Sequence, residues 1–211
     1  MKKEWTLRWS FFIIGLILLA LGVAMTIKGK LLGIGPWDVF HYGLTLQFGL
    51  TIGTWIIIVG FLLLLLTVVF TKKMPKIGAF LNMLLIGFFI DFFLWILPNT
   101  TSLIGSALYL LVGVIIIGYG IGIYVSAELG AGPRDGLMIL IVEKTGWSVQ
   151  WVRNGIELSV LLIGWLMGGP VGIGTVVIAI LIGPIVGFSL PQCKALLQFL
   201  LYKNQSKKLA I

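Results

Sequence analysis

The sequence predicts an all-α integral membrane protein that crosses the bilayer several times. Of its 211 residues, 59% are hydrophobic and only 10% are charged, whereas soluble domains average about 25% charged residues. The mean hydropathy is +1.13, and so few charged residues could not cover a surface that faces water. Long apolar runs also recur along the chain, and several reach the roughly 20 residues that a membrane helix needs.

Six apolar stretches have the length of a membrane span. The first follows basic residues, but its apolar core is longer than that of a secretory signal and no small-residue cleavage site follows it. We therefore expect a retained anchor. Two further apolar segments, 36–48 and 133–142, would extend about 15–20 Å as helices, which is half a membrane. The six predicted spans are 9–27, 52–71, 77–97, 103–127, 149–168 and 172–190.

The two short segments begin alike, and this similarity indicates an internal duplication. The motif G-x-G-P-x-D occurs at residues 33–38 and again at residues 130–135, 97 positions later. Matches elsewhere keep nearly the same offset, since Gly87 matches Gly183 at 96 and Gly15 matches Gly113 at 98. A motif held in such a steady register favours two repeats. We expect a first repeat at 1–102, a second at 103–193 and a basic cytoplasmic tail at 194–211.

The basic residues favour one of two topologies. Eight spans would give parallel halves, whereas six spans with non-crossing short segments would give inverted halves. With six spans and a cytoplasmic N-terminus, 13 lysines and arginines lie inside and 2 outside; with eight spans the division is 9 to 6. Because cytoplasmic loops are enriched in lysine and arginine, we predict six spans, two inverted repeats and both termini in the cytoplasm. Whether the half-length helices enter the bilayer or lie along its surface stays open.

The G-x-G-P-x-D motif has two interpretations. Proline is favoured at the first helical position, and a carboxylate at the third lies near the positive end of the helix dipole, so the motif could serve only as a helix cap. It could also line a substrate path, because inverted-repeat transporters place interrupted helices at their binding sites. The candidate residues are Gly33, Gly35, Pro36 and Asp38 in the first repeat, and Gly130, Gly132, Pro133 and Asp135 in the second.

Four further polar residues lie inside predicted spans. An acid at membrane depth costs at least about 2.5–3.5 kcal/mol, so Asp91 is expected to pair with a neighbouring helix or to reach the outer surface. Arg153 precedes Glu157 by four residues, so the two can pair on one helix face, with Asn154 beside them. We favour an internal ion pair here over an inner-facing cavity.

Residues that would support catalysis or cofactor binding are scarce. The chain has a single histidine, His41, and a single cysteine, Cys193, so no disulfide can form within it and no zinc-type spacing exists. A lone histidine is more often hydrogen-bonded than a proton relay. The basic residues lie at the ends of apolar runs, which indicates orientation in the bilayer rather than nucleic-acid binding. We expect no enzyme activity, cofactor, metal or nucleic-acid partner.

The motif, its place after a first anchor helix and the chain length also resemble the bacterial YczE/YitT-type membrane proteins. The run 132–138, GPRDGLM, is especially like the YczE branch. The resemblance covers essentially the whole chain and implies a bacterial inner-membrane protein. It implies no reaction and no functional residues.

Two functions fit these observations. The leading hypothesis is a small transporter or channel that moves an unknown small solute across the lipid bilayer, with its path at the interface of the inverted repeats. The alternative is a scaffold or accessory subunit that does not transport and that assists an exporter or biosynthetic complex through a membrane partner protein. The scarcity of paired intramembrane charges favours this alternative. Glycine-rich helix faces would also allow a homodimer.

Overall fold

The computed structural model describes residues 2–130 and 132–209, so Ala131 and the last two residues of the predicted tail lie outside the described part. All regular secondary structure in these ranges is helical, which confirms the predicted all-α class. A short 3-10 turn at Lys30–Leu32 precedes the second helix. The α-helices are α1 (Lys2–Lys28), α2 (Pro36–Phe48), α3 (Ile52–Thr71), α4 (Ile77–Ile96), α5 (Leu103–Ser126), α6 (Pro133–Thr145), α7 (Val149–Leu166) and α8 (Ile173–Leu209).

Local sequence signals explain where most helices begin. The hydroxyl groups of Thr51, Ser102 and Ser148 each accept a hydrogen bond from a backbone N–H three residues further on, which caps the starts of α3, α5 and α7. The short helices α2 and α6 instead begin with proline after glycine. Both end at a glycine with φ of +71°, Gly49 and Gly146, a conformation that favours glycine. The two short helices therefore share their start and stop signals.

Within the described ranges, five helices are long and apolar enough to cross a membrane, namely α1 from Glu4, α3, α4, α5, and α8 as far as Tyr202. These helices support a multi-pass membrane protein. The 18-residue helix α7 is not among them, because the polar residues Arg153, Asn154 and Glu157 lower the hydropathy of its first half. Five of the six predicted spans thus have a counterpart that meets this criterion.

Three helices extend further than the sequence predicts. Helix α1 begins at Lys2 rather than at residue 9, and α6 continues to Thr145 rather than to residue 142. Helix α8 runs to Leu209 rather than to residue 190, with Pro191 inside it. Lysine, glutamate, leucine and glutamine are frequent in these extensions, and all four residue types favour helix.

Helices α1 and α5 form a closely packed antiparallel pair at the centre. Gly15 lies against Tyr124 near one end of the pair, and Gly22 lies against Gly113 nearer the other. A Cβ atom on Gly22 would lie 2.7 Å from the carbonyl oxygen of Gly113, so only glycine allows this approach of the two backbones. Helix α4 packs against α1, and α8 packs against α5.

Each short helix packs against a long helix of the other half. Helix α2 contacts α7, and α6 contacts α3. Gly164 of α7 lies against Phe40 of α2, and Gly136 of α6 lies against Thr67 of α3. The short helices therefore tie the two halves of the chain together.

One pair of helices differs between the halves. Helices α3 and α4 form a tight seam, in which Gly53 lies against Gly87 and Gly60 lies against Met83. Helices α7 and α8, which follow in the same order in the second half, scarcely contact each other. On α8, no atom of the described residues lies within 4 Å of the position that a Cβ atom on Gly183 would take. We refer to this gap as the α7–α8 opening.

Candidate functional site

A cavity of about 510 Å³ lies between the two halves of the chain. Its volume falls within the range of about 300–1,000 Å³ that is typical of small-molecule sites. All eight helices contribute to its wall, and isoleucine is the commonest residue in it. Ala179 and Gly183 also line it, so the cavity reaches the α7–α8 opening. The ionisable and amide side chains in its wall are Asp38, His41, Asn82, Tyr124, Arg134, Asp135, Arg153 and Glu157.

The N-terminal ends of α2 and α6 meet at this cavity. The guanidinium carbon of Arg134 lies 4.4 Å from the centroid of the Trp37 ring, a cation–π contact that joins the start of α6 to the start of α2. These two residues occupy the same position in the two G-x-G-P-x-D motifs. The positive ends of two helix dipoles are thereby brought close together.

The two motif aspartates lie over the starts of their own helices and also line the cavity. The Asp135 carboxylate accepts a hydrogen bond from the Gly132 backbone. The Asp38 carboxylate lies beside Gly35, where a Cβ atom would come within 2.8 Å of Asp38 Oδ2. Gly35 and Gly132, which directly precede Pro36 and Pro133, have no side chain and so leave room for the two carboxylates at the helix starts. The capping interpretation therefore fits Asp135, whereas Asp38 forms no hydrogen bond with a described residue. Both side chains line the cavity, as the path interpretation requires.

The outer glycines and the prolines of the motif shape the chain before each short helix. Gly33 has a φ of +95° and Gly130 a φ of +151°, which are conformations that side chains disfavour. Pro36 and Pro133 occupy the starts of α2 and α6 and line the cavity. The motif therefore turns the chain and aims each helix start at the cavity.

Several polar groups in the cavity wall have no hydrogen-bond partner. His41 is 1% exposed and Asn82 is 4% exposed, and among the described residues neither His41 Nδ1 nor Asn82 Nδ2 has a partner. The exposed side chain of Arg134 lines the cavity and forms no hydrogen bond or ion pair within the described part of the chain. Because an unsatisfied buried polar group costs about 1–3 kcal/mol, His41 and Asn82 indicate a place for ligand atoms or water.

The polar cluster on α7 lies at the edge of the cavity. Arg153 Nε donates a hydrogen bond to Glu157 Oε1 at 3.0 Å, one turn further along the helix. Both side chains line the cavity, whereas Asn154 is exposed and does not. The ion pair and the cavity, which the sequence presents as alternatives, therefore coexist.

Asp91 lies outside the cavity and caps the start of α3. Its carboxylate accepts a hydrogen bond of 2.8 Å from the backbone N–H of Gly53 and another from the Thr51 hydroxyl. It thus satisfies an N–H group that the first turn of α3 leaves free. The residue at the matching position of the predicted second repeat is Gly187, which has no side chain to form such a contact between α7 and α8.

Replacing Asp91 with alanine is expected to lower the free energy of unfolding by about 1–3 kcal/mol, because the Gly53 N–H loses its partner. Thermal unfolding in detergent would measure the loss. Asp91→Asn keeps an acceptor oxygen and should lose less. Glu143 is exposed, so Glu143→Ala serves as the control, and an equal loss in that variant would contradict the assignment of Asp91 as a cap.

Sequence reasoning missed Trp37, Asn82, Tyr124 and Arg134 as cavity residues. Trp37 and Arg134 occupy the variable position of the motif, so the pattern itself drew no attention to them. A signal was present for Arg134, because an arginine at the start of an apolar half-helix needs a partner or a cavity. Asn82 is a single amide in an apolar run, and only its packing near Gly132 places it at the site.

Comparison with known proteins gives relatives but no activity. The model of a family of unknown function, DUF6198, matches residues 6–191. The chain is 60% identical over 199 residues to a Bacillus subtilis (strain 168) protein named uncharacterized membrane protein YczE, across 94% of this chain and 93% of that protein. It is 33% identical to an uncharacterized Haemophilus influenzae protein, across 88% of this chain and 86% of that one. No solved structure matches the chain. The predicted resemblance to YczE is confirmed.

Proposed function

The chain belongs to DUF6198, a family of unknown function, and from the geometry of its cavity we propose that it is a small transporter or channel-like membrane protein. The single observation that carries the proposal is a polar cavity between the two halves, into which both half-length helices direct their N-terminal ends. Helix ends that meet at a central site are how inverted-repeat transporters bind solutes. No enzymatic step belongs to the proposal.

The proposed architecture is two inverted repeats with six spans, in which α7 is the sixth span. The antiparallel contact of α1 with α5 supports it, because these helices hold the same place in the two repeats. The contacts of α2 with α7 and of α6 with α3 also support this architecture, because each short helix packs against a helix of the other repeat. Trp37 touches its own repeat equivalent, Arg134, as residues beside a pseudo-two-fold axis would.

The contrast between the two halves supports a path that opens on one side at a time. The α3–α4 seam is closed at Gly53, Gly87 and Met83, whereas the equivalent α7–α8 pair is open and exposes the cavity. If the repeats are equivalent, α3 and α4 can separate as α7 and α8 do, and α7 and α8 can pack together as α3 and α4 do. Such an exchange would present one cavity first to one side of the membrane and then to the other.

The proposed location is the bacterial inner membrane with both termini in the cytoplasm, which the distribution of basic residues supports. Single cysteines in a Cys193→Ser background, labelled in intact cells by an impermeant maleimide, test this orientation. Cysteines at Lys30, Thr101 and Val171 should react, and cysteines at Met74 and Lys144 should not. Reaction at Met74 would mean eight spans and parallel halves, and the proposed architecture would be abandoned.

A cysteine in the cavity tests the path itself. Ile182→Cys lines the cavity and should react with a small impermeant thiol reagent in both intact cells and inside-out vesicles. The Met74 and Thr101 variants are the matched controls, because each should react in only one of the two preparations. Reaction of Ile182→Cys in only one preparation would leave a pocket without a path, and the transport proposal would fail.

The α7–α8 opening also supports the alternative, an accessory subunit with a membrane partner. Gly183 and Gly187 have the spacing of a G-x-x-x-G motif, and no described residue lies within 4 Å of a Cβ atom placed on either of them, so a helix of another protein could pack there. Co-purification in mild detergent separates the two functions. A defined partner that is lost in Gly183→Leu, together with one-sided labelling of the cavity, would favour the accessory role.

A further inference from the structure

We infer that the cavity binds a small zwitterion with an apolar side chain, with the anionic group of the ligand on Arg134 and its cationic group on Asp38. The inference rests on the proposed function, because it names the class of solute for the same cavity. A free α-amino acid and a zwitterionic lipid headgroup both have this chemistry.

The positive half of the site is Arg134. Its guanidinium carbon lies 4.4 Å from the centroid of the Trp37 ring. The N–H groups of this guanidinium have no hydrogen-bond or ion-pair partner in the described part of the chain. A guanidinium presents five donors in a fixed fork that matches a carboxylate or a phosphate. Arg153, the other arginine of the cavity, is already paired with Glu157.

The negative half of the site is Asp38. The side chain is 8% exposed, lines the cavity and forms no hydrogen bond or ion pair with any described residue. Asp135 differs because it already accepts a hydrogen bond from the Gly132 backbone. Arg134 contacts Trp37, the chain neighbour of Asp38, yet Arg134 and Asp38 do not form an ion pair.

Two opposite charges that share a cavity without pairing select a ligand that carries both charges. An anion would pair with Arg134 but leave the buried charge of Asp38 unpaired, and a cation would pair with Asp38 but leave the Arg134 guanidinium without a partner. Leaving a buried charge uncompensated is strongly destabilising. A zwitterion satisfies both groups at once and adds no net charge to a cavity enclosed by apolar helices.

The remaining wall fits an apolar side chain and supplies further hydrogen bonds. Asn82 Nδ2 and His41 Nδ1 are buried, line the cavity and lack partners, so they are available to polar atoms of the ligand. Elsewhere the cavity is lined by aliphatic side chains such as Ile86, Ile117 and Ile182. Its volume of about 510 Å³ accommodates an amino acid of the size of leucine or phenylalanine.

Calorimetric titration of the purified protein in detergent tests the inference with matched probes. Leucine and phenylalanine carry both charges; 4-methylpentanoate is leucine without its ammonium group, and 3-methylbutylamine is leucine without its carboxylate. Dihexanoylphosphatidylethanolamine represents a lipid headgroup. We expect at least one zwitterion to bind about tenfold or more tightly than either singly charged probe, because each charge-assisted contact contributes that much. Binding of the lipid analogue alone would support a zwitterion site and would identify the ligand as a lipid headgroup of the bilayer.

Two variants locate the two charges. Arg134→Gln should weaken zwitterion binding about tenfold or more. Asp38→Asn should weaken it similarly and should also remove the preference for leucine over 4-methylpentanoate. Lys28→Gln removes a cation at the surface, where Lys28 donates to Asn99, and should leave binding unchanged. Thermal unfolding of each variant verifies that it is folded.

The outcomes separate this inference from the proposed function. Equal binding of 4-methylpentanoate and leucine, or binding of no probe, would overturn the zwitterion site. If Ile182→Cys still reacts in both preparations, the transport proposal survives that result with another solute. If a zwitterion binds but Ile182→Cys reacts in only one preparation, the zwitterion site is supported and the transport proposal is rejected.

Discussion

Gly87→Ala is expected to destabilise the protein by about 1–3 kcal/mol, the usual range for overpacking, whereas Gly183→Ala at the matching position of the proposed second repeat is expected to be tolerated. A Cβ atom on Gly87 would lie 2.5 Å from the carbonyl oxygen of Gly53 and 2.6 Å from an Ile57 side-chain carbon. The backbone of α3 would have to move to make room. At Gly183 nothing lies within 4 Å of the added atom, and alanine favours helix by up to about 1 kcal/mol over glycine.

The two variants are matched because they make the same chemical change at equivalent positions in α4 and α8. Their unfolding temperatures in one detergent, read from loss of helical circular dichroism, give the comparison directly. An equal loss of stability in both variants would mean that α7 packs on α8 as tightly as α3 packs on α4. The α7–α8 opening, and the path that depends on it, would then be rejected.

The short helices illustrate what the sequence specifies well. Proline after glycine starts each of them, and Gly49 and Gly146 end them, so the predicted bounds of the first, 36–48, match α2. These signals act over a few residues and need no knowledge of packing. The last helix shows the limit of such reasoning. The prediction ended it at residue 190 where the apolar run stops, although residues such as Lys194 and Leu197 continue the helix.

The site shows a different limit. The motif identified Asp38 and Asp135, because a repeated motif at a helix start can be recognised from the sequence alone. Both residues line the cavity. The contact between Trp37 and Arg134, and the approach of Asn82 to Gly132, depend on how α2, α4 and α6 pack. The α7–α8 opening is also invisible to a repeat search. Such a search treats the halves as equal, whereas in the structure α3 packs closely on α4 and α7 scarcely contacts α8.

A disulfide across the α7–α8 opening is expected to abolish access to the cavity. The residues equivalent to Gly53 and Gly87 of the closed seam are Gln150 and Gly183. In a Cys193→Ser background, the pair Gln150→Cys with Gly183→Cys should cross-link under oxidation if α7 can approach α8 as α3 approaches α4. Labelling of a cysteine at Met138, which lines the cavity from α6, should then fall sharply from the side of the opening and recover after reduction.

The control pair is Gly155→Cys with Gly183→Cys. Position 155 lies five residues beyond position 150, so it points about 140° away around the helix and should not cross-link. A cross-link in the first pair alone would show that α7 closes on α8 in a defined register. If neither pair forms a cross-link, the opening is a fixed feature of the fold. A fixed opening cannot alternate with the α3–α4 seam, and it would suit the packing of a partner helix against Gly183 and Gly187 instead.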